Sequence, residues 1–409
     1  MTQVARLFSF LVTFPATTLQ STGMQSKPPE RLTTILLLDG ENYHLMAVLQ
    51  CLSRVKNTKL VVISDKPTSS MRYSRFVWKY IHCPINTKSW VNKVNECIER
   101  YQIDVVMPIS EDTLEELILN RHKLHVKNKT LIPDTLKQLD TIRNKRLLAL
   151  HLSDIGITPP AYWVPIKNCP DGSKILQKHY PVLAKPAITS GGGLGILKIK
   201  NEEELDDFLS KHDSGKDYLI QEFIEGHDLG CNVICMDGEV MAYTIQVGNM
   251  FLKKAYTPQV GLDIVHNEKV IKIVRDLMKS LRWNGVANVD MRYDNLTGQY
   301  YVLEVNPRYW LTLLASCMAG INFPWLYCRI VLDDKFQLPD YKEIEYWNLK
   351  RLPYRLKKEP LLLFRWKYLW NNTPFSYLIN DPIMTVYHYS WTLKNIIVSL
   401  SKRVFNRQA

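Results

Sequence analysis

The sequence predicts an α/β fold followed by an α+β fold, and three observations carry that expectation. Over residues 31–130 short apolar runs alternate with segments of helical periodicity, a pattern that implies a parallel sheet with helices on both faces. Residues 181–200 read as strand, glycine-rich turn and strand. Residues 286–308, Val-Ala-Asn-Val-Asp-Met-Arg-Tyr-Asp-Asn-Leu-Thr-Gly-Gln-Tyr-Tyr-Val-Leu-Glu-Val-Asn-Pro-Arg, read as a β-hairpin that gathers polar side chains on one face.

A chain of 409 residues is long enough for two or three domains. Its 46% hydrophobic and 22% charged residues are those of a folded protein. The net charge of +12 admits nucleic acid, an anionic membrane surface or small anionic substrates as partners. Eight cysteines lack the paired spacing of zinc sites, so buried thiols in a reducing compartment are expected. No run is long enough to span a membrane.

Taken in order, residues 1–30 contain a short apolar run after Arg6 and then a Ser-Lys-Pro-Pro stretch. They are expected to be a disordered or over-extended N-terminus, with a weak signal peptide as the other reading. Residues 33–38 form a strand ending at Asp39-Gly40, and 43–54 a helix. Strands at 60–63 and 104–108 and a helix at 113–120 follow. None of these strands is followed by a glycine-rich dinucleotide fingerprint, which argues against a nicotinamide or flavin site. The boundary of this unit falls near residue 130. Residues 131–160 contain a long amphipathic run through Asn144-Lys145 to Leu152, closed by Gly156 and Pro159-Pro160.

The strand at 181–186 carries Lys185, and residues 189–195, Thr-Ser-Gly-Gly-Gly-Leu-Gly, form a loop whose N–H groups can approach phosphate oxygens. It is not a Walker loop, because no Gly-Lys-Ser/Thr ends it; a plain flexible turn is the alternative. Asn201 and Glu204 make a capping box for the next helix. Residues 218–228 form an apolar strand running into a polar turn, with main-chain groups able to meet a purine edge and Asp228 placed for ribose hydroxyls. In the hairpin, Asp290, Glu304 and Asn306 share a face and can converge as hard oxygen donors suited to Mg²⁺. Arg308 follows with a fork suited to phosphoryl oxygens. An ordinary hairpin with a solvated polar face is the alternative.

With Lys185, the glycine loop, residues 221–228 and Glu304-Val305-Asn306-Pro307-Arg308 in this order, the chain resembles the ATP-grasp superfamily. The likeness is strongest to carbamoyl-phosphate-synthase-like ATP-binding domains and the carboxylate–amine ligases built on them. The resemblance implies a Rossmann-like pre-ATP-grasp domain at 31–130, a two-lobed ATP-grasp domain at 131–335 and a basic, aromatic-rich, helical region at 336–409. It implies that Lys145 and Lys185 contact nucleotide phosphates, with Gly191, Gly192 and Gly193 closing over them. Gln221, Glu222, Phe223 and Ile224 would hold adenine and Asp228 the ribose. Asp290, Glu304 and Asn306 would bind Mg²⁺ or Mn²⁺, and Lys185 and Arg308 would serve catalysis. Asn144 stands where the family usually has Asp, and Asn288 where some relatives place Arg.

The implied activity is a cytoplasmic, ATP-dependent ligase that activates a small carboxylate as an acyl phosphate and joins it to an amine, releasing ADP and phosphate. Relatives of this kind suggest a homodimer. Lys253 and Lys254 are candidates for holding the substrate carboxylate. An alternative is a catalytically altered ATP-binding protein in a membrane-associated assembly, supported by basic and aromatic residues interleaved after residue 350. Nucleic-acid binding has no motif to support it.

Overall fold

The computed structural model describes residues 31–85, 87–163, 180–188, 195–212, 218–250, 261–349 and 352–390. Residues 1–30, the glycines at 191–193 and Lys253–Lys254 lie outside them.

Four parallel strands, β1 (Thr33–Leu37), β2 (Thr58–Ser64), β3 (Val77–His82) and β4 (Val105–Met107), lie in the order β3-β2-β1-β4. Period-two alternation splits β1 between two cores. Ile35 and Leu37 face helix α1 (His44–Leu52) through Leu45, Val48 and Leu49, while Leu36 packs with Trp90, Val94 and Ile98 of α2 (Lys88–Arg100). This is the parallel sheet covered on both faces that the apolar runs imply. β3 and α2 escaped the sequence reading. β3 is an edge strand with Trp78 and Lys79 exposed, so it lacks the continuous apolar run of a buried parallel strand.

The chain leaves the ends of β1 and β4 to form a crevice, and Asp39 closes its floor. Its carboxylate accepts from the Ile109 and Ser110 N–H groups at 3.0 and 2.9 Å, from Ser110 Oγ at 2.7 Å and from the Thr113 hydroxyl. These contacts fix the start of α3 (Glu111–Leu119) against β1.

The amphipathic run expected as one helix through Asn144-Lys145 to Leu152 is two helices, α4 (Leu136–Arg143) and α5 (Lys145–Asp154). Asn144 takes an extended conformation and caps α5, its Oδ1 accepting from Arg146 and Leu147 at 3.0 and 3.3 Å. Asn competes with helical hydrogen bonding through its own side chain, which is why the run breaks there.

A small antiparallel sheet follows in the order β5-β8-β6-β7. It contains β5 (Tyr162–Trp163), β6 (Val182–Pro186), β7 (Leu197–Ile199) and β8 (Tyr218–Glu222). Helix α6 (Glu202–Lys211) covers it with Phe208. The larger sheet is antiparallel, in the order β13-β12-β9-β10-β11-β14. It comprises β9 (Gly226–Met236), β10 (Glu239–Met250), β11 (Gly261–Val265), β12 (Gly285–Asp294), β13 (Tyr300–Asn306) and β14 (Ile344–Trp347). Helix α7 (Glu268–Ser280) covers one face, and α8 (Leu313–Ala319) and α9 (Phe323–Val331) cover the other.

Beyond β14 come α10 (Leu352–Lys358), a 3₁₀ turn (Pro360–Phe364), α11 (Trp366–Asn372) and α12 (Phe375–Ile379), with residues 382–390 also helical. Buried Asp381 accepts from the Ser74 hydroxyl and from the Arg75 N–H at 3.2 Å, fastening these helices to the β2–β3 connection. No helix among the described residues is long and apolar enough to cross a membrane. Among the described residues seven cysteines are free thiols, six of them buried.

Candidate active site

In the hairpin Asn288 lies opposite Asn306 and Asp290 opposite Glu304, with an irregularity in the register just after Asp290. Asp290, Glu304 and Asn306 therefore share one face. The Asn306 amide donates to Asp290 Oδ2 at 3.1 Å and to Glu304 Oε1 at 3.4 Å. Across from them, the Lys145 ammonium lies 3.1 Å from Glu304 Oε2. Lys145 is the first residue of α5, and its N–H donates to Ala187 O at 2.9 Å, which joins the helix start to the end of β6. Lys185, on β6, donates to Gln221 Oε1 on β8. The lysines and the oxygen donors thus face one another across a single cleft.

The electrostatics follow from two carboxylates sharing a dry position. Burial, and then the Glu304 charge, hold the Asp290 carboxyl well above its ordinary value. Burial also works against the Glu304 charge, but the Lys145 ammonium and hydrogen bonds from Lys145, Asp290 and Asn306 outweigh it and hold its pKa low. Burial brings Lys185 down from 10.5 to about 8, with Glu304 opposing the fall and Lys145 adding to it. Among the described residues no three His, Cys, Asp or Glu side chains converge. The convergent set is two carboxylates and an amide. The two carboxylates, drawn together by the Asn306 amide N–H groups, are hard oxygen donors whose crowding fits a divalent cation.

Arg308 Nε lies 3.3 Å from Glu111 Oε1 on α3, and its other nitrogens donate to Asn306 Oδ1 and Tyr309 O, both at 3.1 Å. This brings the hairpin to the crevice at the β1 and β4 ends, where open α/β sheets receive ligands. Glu111 was missed because it looks like any acidic residue in a first helical turn. Buried His44 was missed as well. Its pKa is lowered to about 3 by burial and by Arg308, and neither ring nitrogen has a hydrogen-bond partner.

Asn288, without a role in the sequence reading, links a row across four strands. Asn306 donates to Asn288 Oδ1 at 3.3 Å, Asn288 to Asn232 Oδ1 at 3.0 Å, and Asn232 to Thr244 Oγ1 at 3.3 Å. All four residues stand directly opposite one another. Asn232 carried a detectable signal, an amide inside the apolar β9 run.

The other expected residues stand at the cleft margin. Glu222 Oε1 accepts from the Ala161 N–H at 2.7 Å. Phe223 lies beneath the Lys198 ammonium, 3.8 Å from its ring centre. The Ile224 carbonyl accepts from Arg292 Nε at 2.7 Å, and Arg292 also pairs with Asp228. The paired Asp228 carboxylate still has lone pairs for further donors.

Residues 142–312 match the ATP-grasp domain family model. Carbamoyl-phosphate synthase of Methanobrevibacter smithii is 25% identical over 272 residues, 63% of this chain and 72% of that protein. D-alanine–D-alanine ligase of a Marinomonas species is 30% identical over 212 residues, 47% of this chain and 64% of that one. N5-carboxyaminoimidazole synthetase from Staphylococcus aureus, solved in complex with ADP, superposes with a TM-score of 0.62 at 16% identity. That match covers 81% of this chain and 88% of that chain.

Proposed function

We propose that this chain, whose residues 142–312 match the ATP-grasp domain family model, is an ATP-dependent C–N ligase that activates a small carboxylate as an acyl phosphate for attack by an amine. The observation that carries this reading is the 3.1 Å contact between Lys145 and Glu304, which joins the lysine side of the cleft to its carboxylate side.

In this reading Lys145, paired with Glu304, and Lys185, held by Gln221, are the buried cations that bind the ATP phosphates. Asp290, Glu304 and Asn306 would hold Mg²⁺, which when bound supplies charge neutralisation to the transferring phosphoryl group. Arg308, aimed by Glu111 and Asn306, binds the phosphoryl oxygens as they shift from ATP to the carboxylate. Gln221 holds the Lys185 ammonium in place, and Glu222, Phe223, Ile224 and Asp228 take the adenosine. The chemistry needs positioning and fixed charge rather than a covalent nucleophile. The substrate enters at the β1–β4 crevice, beside Arg308, so that its carboxylate meets the terminal phosphate.

The names of the relatives favour a carboxylate and an amine as the substrate pair. A screen of ATP against panels of carboxylic acids and amines, read as released phosphate, tests this directly. ADP formation that needs both partners is expected; AMP formation overturns the acyl-phosphate route. Glu304→Gln is expected to lower ADP formation by about 10²–10³-fold, the scale seen when one charge-stabilising group is removed.

A further inference from the structure

The 3₁₀ turn after α10 exposes what folded chains ordinarily bury. Leu361 is 74% exposed, Leu363 59%, Phe364 85% and Trp366 56%. Only Leu362 of this stretch points inward, into a small core with Leu352 and Leu369. Three residues per turn place Leu361 and Phe364 on one face, side by side. Such a contiguous apolar patch marks an interaction surface rather than ordinary surface scatter.

The charge around the patch selects the partner. Lys357, Lys358, Arg365 and Lys367 are exposed on either side of it, and none has an ion pair among the described residues. The two acids between residues 352 and 390 are already engaged: Glu359 pairs with Arg355 at 3.1 Å, and Asp381 is buried against Ser74 and Arg75. The patch is also firmly mounted, because the helices that follow it are fastened to the first sheet through Asp381. A rigid apolar wedge within a ring of uncompensated cations fits a surface that is apolar beneath and negative above.

We propose that residues 357–367 dock the protein on the face of an anionic lipid bilayer, with Leu361, Leu363, Phe364 and Trp366 entering the headgroup–acyl boundary and the four cations meeting lipid phosphates. The protein lies on the bilayer and does not cross it at this segment. The docking is independent of the ligase reading, since none of these residues belongs to the cleft.

The test is co-sedimentation of the full chain with vesicles of phosphatidylglycerol and phosphatidylcholine, and with phosphatidylcholine alone. Binding to the anionic vesicles that weakens with added salt is expected. The combined variant Leu361→Ser, Leu363→Ser, Phe364→Ser and Trp366→Ser should bind at least about tenfold more weakly. Lys357→Ala and Lys358→Ala should each lower binding by about fivefold at low salt. An unchanged thermal midpoint shows that the variants remain folded. Wild-type protein staying in the supernatant, equal binding to neutral vesicles, or undiminished binding by the serine variant overturns the proposal. Light scattering that shows a dimer broken by the serine variant assigns the patch to a second copy of the chain and overturns it equally.

Discussion

Lys145 and Glu304 form an ion pair of 3.1 Å between the first residue of a helix and the middle of a hairpin 159 positions later. The pair sets the electrostatics of the site: against burial, the Lys145 ammonium holds the Glu304 carboxyl below its ordinary value, while burial and the Glu304 charge push Asp290, opposite it in the sheet, upward. Removing the cation leaves the Glu304 carboxylate without its direct partner. Lys145→Met is expected to cost about 2–4 kcal/mol, below the full value for a buried pair because the Glu304 side chain is 23% exposed. Chemical denaturation measures this loss, and ATP turnover should fall with it.

Asp290→Asn should act in the opposite sense on stability. A carboxyl whose folded pKa is raised destabilises the fold once the pH climbs above its ordinary 3.8. The amide carries no such penalty, so the variant should melt higher than the wild type at neutral pH. The difference should vanish below the ordinary carboxylate range. Magnesium should raise the wild-type midpoint and release a proton on binding, and should do neither for the variant; melting curves and unbuffered titration report both.

Lys185, at about 8, titrates inside the working range. The ammonium is the form that binds phosphate, so kcat/KM for ATP should fall as the pH rises through about 8, the value in the free enzyme. Lys185→Arg should flatten that alkaline limb. For stability the sign is reversed: a lysine with a lowered folded pKa weakens the fold when charged, and the penalty disappears as the pH rises from about 8 to above 10.5. Lys185→Met should therefore stabilise the protein at pH 7 by on the order of 2 kcal/mol, after the hydrogen bond to Gln221 is given up.

At the start of α5, Asn144→Ala removes the side-chain oxygen that accepts from the Arg146 and Leu147 N–H groups and should cost about 1 kcal/mol. It also frees the turn that presents Lys145, so KM for ATP should rise. Asn144→Asp keeps the cap and adds favourable charge at a helix N-terminus, worth about 0.3–1 kcal/mol. Thermal unfolding and ATP kinetics on the two variants separate the effects.

Asp381→Ala leaves the Ser74 hydroxyl and the Arg75 N–H without their acceptor. A loss of about 1–3 kcal/mol is expected. Limited proteolysis should then cut the chain after β14 sooner than in the wild type.

What the sequence made legible was whatever rests on period and order. The shared face of Asp290, Glu304 and Asn306 follows from a period of two, and the β1 and β4 runs from continuous apolar stretches; the register between the two strands, with its shift after Asp290, does not. Three further things were not legible. The break at Asn144 depends on a side chain choosing the cap over the helix. The edge strand β3 has no apolar run to announce it. The pairing of Glu111 with Arg308 joins residues 197 positions apart that no local pattern connects. Gly191, Gly192 and Gly193 of the glycine loop, and Lys253 and Lys254, lie outside the described residues.

The amide row from Thr244 to Asn306 gives the hairpin a handedness that its own residues do not possess. The amide-to-amide and amide-to-hydroxyl bonds of the row all run toward β10, and the last oxygen, on Asn306, is left facing Arg308. Which atom Asn306 offers is therefore settled by Asn232, a neighbour two strands away with no access to solvent. A synthetic hairpin carrying the same carboxylates would still possess their charges, yet its terminal amide would be free to spin.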